Sequence, residues 1–264
     1  MELLRDLPTS TLTAAALAFG NFDGVHLGHQ ALLATVREAA RRWGGPATVV
    51  TFDPHPLRLL RPELAPAALD ALPDRLDLLA AHGVDRAVVL SFDAELAARS
   101  PQWFVRDALM GALGARCVVA GPDVHFGRGG AGDHGLLVRL LADVGGEVLS
   151  CPAIELDGAI VSSSRVRAAV AAGDVLLARR LLGRPFCLRG TVVHGDARGR
   201  TLGFPTANLD TGLQVLPAHG VYAGRAQVAG VWHDAVANIG RRPTFAGADV
   251  RVEVHLLRSE EHTS

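Results

Sequence analysis

The chain has 264 residues, of which 49% are hydrophobic and 20% charged, and its formal net charge is −1. This composition is typical of a globular protein with about two domains, and the near-neutral charge gives no indication of nucleic-acid binding. All 26 basic residues are arginine, so the chain contains no lysine. The absence of lysine excludes a Walker-type P-loop, a Schiff-base lysine and the phosphate-pairing lysine of protein kinases.

The N-terminus and the cysteines predict a cytoplasmic protein. Glu2 and Asp6 lie where a signal peptide would carry basic residues, and no run approaches the roughly 18 apolar residues of a membrane span. The three cysteines, Cys117, Cys151 and Cys187, are dispersed and form no CxxC pair. Such spacing favours reduced thiols over disulfides or a zinc site, and we expect no membrane partner.

The first part of the chain alternates apolar strands with amphipathic helices. Strands are predicted at residues 14–19, 47–52, 86–90, 117–120 and 147–151. Helices are predicted at residues 28–43, 73–82, 101–113 and 135–142, and two short ones at 163–172 and 174–182. This alternation indicates an α/β domain with a doubly wound parallel sheet, in which ligands bind outside the carboxyl ends of the strands. We place this domain at residues 1–183.

After Gly183 the pattern changes to strands separated by glycine, proline and aspartate turns. Strands are predicted at residues 186–193, 221–228, 231–239 and 250–257, with no convincing helix between them. This pattern predicts a second domain at residues 184–264 that is a small antiparallel β-barrel or, alternatively, a sandwich.

The most informative run, residues 19–30, lies between the first of these predicted strands and the first helix. Gly20 and Gly24 permit a tight turn there, and His26 and His29 are one helical turn apart. Two imidazoles and the free N–H groups of the helix start can face one anion and stabilise charge that develops on phosphate oxygens. The alternatives are two surface histidines or a metal pair, and zinc is disfavoured because no cysteine or third histidine is nearby.

This run, Gly-Asn-Phe-Asp-Gly-Val-His-Leu-Gly-His, resembles the HxGH nucleotidyltransferases, and specifically the bacterial bifunctional riboflavin kinase/FAD synthetase family. The same resemblance extends to residues 51–56, 121–127 and 161–167, which line the flavin and ATP sites in that family. It implies that His26, His29 and Asp23 act in catalysis. The residues implied to bind ATP or flavin are Gly20, Asn21, Phe22, Gly28, Asp53, His55, Asp123, Phe126, Ser162, Ser163 and Arg165. Val124 and His125 depart from the larger or basic pair that is usual in the family.

Residues 199–208 resemble the riboflavin kinase motif, and residues 220–223 and 238–245 match later segments of the same domain. The resemblance implies that Thr206 and Asn208 bind Mg²⁺ and ATP phosphates, and that Glu253 is the base that deprotonates the flavin ribityl hydroxyl. It also assigns Gly203 and Pro205 to nucleotide binding. Without the resemblance, the Pro-Thr-Ala-Asn segment reads as a turn and Glu253 as an exposed strand carboxylate.

Together, the two motifs imply an enzyme that phosphorylates riboflavin to FMN and adenylylates FMN to FAD, with Mg²⁺, ATP and flavins as its small-molecule partners. Two alternatives stay open: another HxGH enzyme, such as a cytidylyltransferase, or a flavin-binding protein without turnover. Family members continue beyond the last predicted strand through a loop, a strand and a long helix, whereas here residues 258–264 are polar and match no family motif. We therefore expect an incomplete kinase domain with weak or absent kinase activity, and intact adenylyl transfer.

Overall fold

The computed structural model describes residues 1–194, 205–244 and 247–257. The chain divides into two compact units. The first unit comprises residues 1–66, 71–163 and 181–183, and the second comprises 67–70, 164–180 and 184–264. The single domain boundary near Gly183 stays a prediction.

The first unit is built on a six-stranded sheet in which every pair of neighbours is parallel. Its strands are β1 (Glu2–Arg5), β2 (Ala14–Phe19), β3 (Ala47–Asp53), β4 (Arg86–Ser91), β5 (Ala115–Ala120) and β6 (Glu147–Ser150). Their order is β1-β4-β3-β2-β5-β6. In chain order, β3 and β4 are added on one side of β2, whereas β5 and β6 are added on its other side. The direction in which strands are added therefore reverses between β2 and β5. Loops leaving the carboxyl ends at such a reversal open a ligand crevice.

Helices connect these strands. They are α1 (Leu27–Trp43), α2 (Pro56–Leu60), α3 (Leu72–Ala81), α4 (Ala94–Ala98), α5 (Pro101–Trp103) and α6 (His134–Ala142), with short 3₁₀ turns at Pro62–Leu64 and Arg128–Gly130. The Ser100 hydroxyl accepts a hydrogen bond from Trp103 N at 3.1 Å, which confirms the predicted helix start. The predicted α-helix at 101–113 continues instead as a π-helix over Phe104–Ala112. Gly111 permits this wider turn, because a Cβ there would lie only 3.1 Å from Arg106 O.

Apolar side chains cover both faces of the parallel sheet, which confirms the doubly wound arrangement. One layer packs α1 and α3 on the sheet, through residues that include Ala16, Ala18, Val49, Leu33, Val36 and Leu79. The opposite layer packs the π-helix and α6 on it, through residues that include Leu17, Val50, Val88, Phe104, Leu109, Leu137 and Leu141. Successive residues of a strand therefore point to opposite layers, as in a fully buried parallel sheet.

A two-stranded hairpin, β7 (Glu155–Leu156) and β8 (Ala159–Ile160), precedes α7 (Ser163–Ala171) and α8 (Val175–Leu182). Asp174 caps α8, since its carboxylate oxygen accepts a hydrogen bond from Leu177 N at 2.8 Å. Among the described helices, none has both the length and the apolar character needed to cross a membrane.

The second unit contains a five-stranded antiparallel sheet, consistent with a β-barrel-like domain. Its strands are β9 (Thr191–Val193), β10 (Ala207–Asp210), β11 (Gly220–Val228), β12 (Val231–Thr244) and β13 (Gly247–Leu256), in the order β11-β12-β13-β10-β9. The strand predicted at 186–193 is shorter than expected, because Arg189 N donates to the Gln214 side chain at 3.0 Å instead of to a neighbouring strand. β10 was not predicted.

Candidate active site

The loop that joins β2 to α1, residues 20–26, leaves the sheet beside the point where the strand order reverses. Phe22 and Val25 have positive φ values of 50° and 38°, a conformation that side chains other than glycine rarely adopt. Asp23 is only 3% exposed and Phe22 is also buried. The loop is therefore packed into the protein in a strained conformation, which is a feature of binding and catalytic sites.

His26 and His29 come together at the start of α1. His26 is the N-cap residue, and its Nδ1 accepts a hydrogen bond from His29 N at 3.4 Å. The two imidazole rings stack, with their centroids 3.7 Å apart and their planes 19° apart, and the Phe22 ring lies 5.2 Å from that of His29. The structure thus brings the two histidines into one cluster at a helix N-terminus, where the helix dipole favours an anion.

Burial and neighbouring positive charge keep His29 neutral. Desolvation first, and then repulsion from His26 and Arg75, hold the pKa of His29 well below its usual value. Its Nδ1 is buried and makes no hydrogen bond within the described ranges of the chain. His29 is therefore a neutral imidazole at pH 7, with one ring nitrogen not engaged by the protein.

Gly28 separates the two histidines for a steric reason. A Cβ at this position would lie 3.1 Å from His26 Cε1, 3.2 Å from His26 Nδ1 and 3.4 Å from Val161 O. A side chain would therefore press on the ring of His26. Gly20 differs, because a Cβ there would make only an ordinary contact of 3.6 Å with the Phe22 ring.

Arg75, on α3, is a site residue that the sequence analysis missed. Its side chain is buried, and its Nη1 donates to Asn21 O at 3.0 Å, to Thr51 Oγ1 at 3.4 Å and to Phe52 O at 3.4 Å. One signal could have found it. Arg75 shares the apolar face of its helix with Leu72, which is three residues earlier, and with the buried Leu79.

The segment after β3 reaches the same loop through His55. His55 Nδ1 accepts from Leu57 N at 3.2 Å and so caps α2, while its Nε2 lies 3.1 Å from the Asn21 side-chain amide. Because Nδ1 accepts, Nε2 carries the hydrogen, and the Asn21 amide oxygen is its chemically consistent partner. Rotation of the amide would also satisfy Asn21 Oδ1, which is buried and otherwise makes no hydrogen bond to a residue that the structure describes. Asp53, by contrast, is exposed at the end of β3.

The serine-rich segment also contacts the loop. The Ser163 hydroxyl donates to Asp23 O at 2.8 Å, and Ser162 beside it is partly buried. This bond holds the loop to the start of α7. Arg165 belongs to the second unit, and its assignment to ATP binding stays a prediction.

The loop after β5 places its two predicted residues differently. Asp123 is exposed, whereas Phe126 is buried with its ring centroid 5.7 Å from that of Phe19 and 6.0 Å from that of Phe104. Phe126 therefore packs in the core at the end of β2, and its predicted part in binding is untested.

The predicted kinase residues lie on neighbouring strands of the second sheet. Asn208 on β10 is directly opposite Glu253 on β13, and Glu253 is in turn opposite Asn238 on β12. Residues in direct register share a face of the sheet, and Asn238 Nδ2 donates to Glu253 Oε2 at 3.4 Å. Asn208 Oδ1 is buried and makes no hydrogen bond to any described residue. Thr206 is exposed.

The carbonyl of Pro205, which precedes Thr206, accepts from His255 Nδ1 at 2.8 Å. This bond holds the Pro-Thr-Ala-Asn segment against β13. Gly203 and residues 258–264 lie outside the described residues.

Comparisons with known proteins match both parts of the chain to known families. The FAD synthetase family model matches residues 9–165, and the riboflavin kinase family model matches residues 182–263. The second match therefore includes most of the polar terminal segment that the motifs left unmatched.

Curated relatives are similar over most of the chain. The bifunctional riboflavin kinase/FMN adenylyltransferase of Escherichia coli K12 is 42% identical over 263 residues, which cover 97% of this chain and 83% of that protein. The protein of the same name from Pseudomonas fluorescens is 45% identical over 239 residues, covering 90% and 76%. A solved structure of a Streptococcus pneumoniae protein, described as a macrolide-efflux protein, has a TM-score of 0.87 at 32% identity and covers 99% of this chain and 86% of its own. The chain belongs to the bifunctional riboflavin kinase/FMN adenylyltransferase family.

Proposed function

We propose that this protein makes FAD from riboflavin in two ATP-dependent steps. Residues 184–264 phosphorylate riboflavin to FMN, and residues 1–183 transfer an adenylyl group from a second ATP to FMN. The observation that carries the proposal is the stacked pair of His26 and His29 at the start of α1, beside the reversal of strand order. This is the geometry of an anion site, and it lies in the segment matched by the FAD synthetase model.

The adenylyl transfer needs no protein nucleophile. A phosphate oxygen of FMN attacks the α-phosphorus of ATP, the bond to the bridging oxygen of the β-phosphate breaks, and pyrophosphate leaves. His26, His29 and the N–H groups at the start of α1 stabilise the charge on the α-phosphate oxygens. Asn21, Asp23 and Ser163 hold the loop that presents them, through the contacts of Asn21 with Arg75 and of Asp23 with Ser163. Arg165 is assigned to the departing pyrophosphate by the family resemblance.

In the kinase reaction, Glu253 accepts the proton of the ribityl hydroxyl as that oxygen attacks the γ-phosphorus of ATP, the bond to the oxygen bridging the β- and γ-phosphates breaks, and ADP leaves. Asn208 and Thr206 would hold Mg²⁺, which would neutralise charge on the transferred phosphate. The Oδ1 of Asn208 is buried and makes no hydrogen bond to the part of the chain that the structure describes, which fits this role because Mg²⁺ prefers hard oxygen ligands. Asn238 keeps the Glu253 carboxylate on the same face as Asn208 through its hydrogen bond.

The cysteines support a cytoplasmic location. Cys117 and Cys151 are buried, Cys187 is exposed, and none of these three cysteines is in a disulfide. Burial raises the pKa of the Cys117 thiol to about 11, so this residue is an inert core side chain.

The test supplies riboflavin and FMN separately to the purified chain with Mg-ATP and identifies the products by chromatography. FAD and pyrophosphate are expected from FMN. The rate at which FMN forms from riboflavin measures the activity of the kinase unit. A parallel reaction with CTP tests the cytidylyltransferase alternative. Flavin binding without release of pyrophosphate would refute the adenylyltransferase assignment.

A further inference from the structure

Arg75 is a buried cation without a carboxylate partner. Its side chain is 7% exposed, and no acidic residue in the described ranges forms an ion pair with it. Buried charges in proteins are normally paired, because desolvation penalises an isolated charge. Arg75 is an exception to this rule beside the histidine cluster. Its burial there therefore calls for a functional explanation.

The guanidinium joins two strand ends at the base of the loop. Nη1 donates to the carbonyl oxygen of Asn21, the second residue of the loop. It also donates to Thr51 Oγ1 and Phe52 O at the end of β3. Thr51 Oγ1 also donates to Asn21 O at 3.2 Å, so two donors converge on one carbonyl. Arg75 is therefore one of two side chains whose donors hold the Asn21 carbonyl to the end of β3, and it alone of the two carries a charge.

The same charge acts on the histidine cluster. Desolvation is the largest of the causes that hold the pKa of His29 low, and the coulombic effects of His26 and then of Arg75 add to it. Arg75 Nε is buried and unpartnered within the described part of the chain, so its charge is not offset locally by a further acceptor.

We propose that Arg75 is a positioning residue for adenylyl transfer, which fixes the loop between β2 and α1 to the end of β3 and supplies a permanent positive charge behind His26 and His29. This inference rests on the proposed function of that site. The negative charge missing from the protein is supplied by the phosphates of ATP when they bind at the cluster. In this proposal Arg75 does not contact the reacting atoms. It sets the position of His26 and His29, which do contact them, and the electrostatic potential around these two side chains.

The experiment substitutes Arg75 with Gln, which keeps an amide donor for Asn21 O but removes the charge, and with Lys, which keeps the charge. In Arg75→Gln we expect kcat/KM for FMN adenylylation to fall by ~10–100-fold. We also expect the His29 titration midpoint, followed by NMR in the ligand-free protein, to rise. Arg75→Lys is expected to leave that midpoint near the wild-type value and to retain more activity than Arg75→Gln.

Two controls separate positioning from a general loss of structure. Arg42→Gln makes the same change at the far end of α1, on a side chain that is 66% exposed and about 20 Å along the helix from His29, and should alter neither quantity. The far-UV circular dichroism spectrum of each variant reports on its secondary structure and should match that of the wild type.

An Arg75→Gln protein with wild-type adenylylation, or with an unmoved His29 midpoint, overturns the proposal. If Arg75→Gln does not fold, Arg75→Lys decides, because a raised His29 midpoint in that variant would also overturn it. If the wild-type chain makes no FAD, the proposed function fails, while the His29 titration still tests the effect of the charge.

Discussion

Replacing Gly28 with alanine tests whether the histidine cluster depends on the absence of a side chain. The new Cβ would lie 3.1 Å from His26 Cε1, about 0.3 Å closer than the lower end of ordinary van der Waals contact. The ring of His26 must therefore shift, and any shift alters its 3.7 Å stacking on His29. A displacement of this size at a catalytic group is expected to lower kcat for adenylylation by about tenfold or more.

Two opposing effects limit the change in stability of the same variant. Alanine is favoured over glycine in a helix by about 1 kcal/mol, and this gain opposes an overpacking cost of about 1–3 kcal/mol. The free energy of unfolding, measured in urea, should thus fall by no more than about 2 kcal/mol, the difference between these two terms. Activity and stability are therefore expected to separate.

Gly135 offers a matched control because it occupies the same position in α6, the second residue of the helix. A Cβ there would make only ordinary contacts of 3.6 Å with Arg139 and Asp133. Gly135→Ala should leave FAD formation unchanged. If Gly28→Ala retained wild-type kcat, or if Gly135→Ala lost as much activity, the steric argument would be wrong.

Three further predictions follow from single contacts. Ser163→Ala removes the hydrogen bond to Asp23 O, and we expect the free energy of unfolding to fall by about 0.5–1.5 kcal/mol. We also expect KM for ATP in adenylylation to rise. An unchanged KM would indicate that the loop does not need this bond. Glu253→Gln should abolish FMN formation but leave FAD formation from supplied FMN, and equal loss of both products would contradict the division of labour. Because the folded-state pKa of His29 lies below the usual 6.5, the folded protein binds fewer protons than the unfolded chain, so the free energy of unfolding should fall as the pH drops below about 7. His29→Gln should flatten that dependence in urea titrations at several pH values, and an identical slope would show that another group causes it.

The sequence predicted the parallel sheet well because its strands are apolar runs bounded by turn residues. Strands in the middle of such a sheet are buried on both faces, so their composition is nearly independent of the rest of the fold. β1 was not predicted, since Glu2 and Arg5 make it polar, and it is a strand only because it pairs with β4 at the edge of the sheet. The strand predicted at 186–193 is confirmed only over Thr191–Val193, because the backbone N–H of Arg189 donates to the Gln214 side chain and not to a neighbouring strand.

At the site, the sequence was informative where local spacing determines geometry. The separation of His26 and His29 by one helical turn, with Gly28 between them, is a property of the segment itself. Arg75 differs, because its burial and its bonds to Asn21 exist only once α3 packs on the sheet. From sequence, an arginine in an amphipathic helix is most simply interpreted as a solvated side chain, and its place on the apolar face with Leu72 and Leu79 is the one signal against that interpretation.

The capping contact of His26 has a consequence for proton location. Nδ1 accepts the N–H of His29, and a neutral imidazole has one acceptor and one donor nitrogen, so the hydrogen resides on Nε2. The start of the helix thereby selects the ring tautomer before any substrate arrives. A nitrogen that carries a hydrogen can donate to an anionic oxygen but has no lone pair to offer a metal ion, so the capping bond favours phosphate over zinc at this cluster. Asparagine or aspartate at this position could also cap the helix, but neither would place an imidazole N–H at the same point.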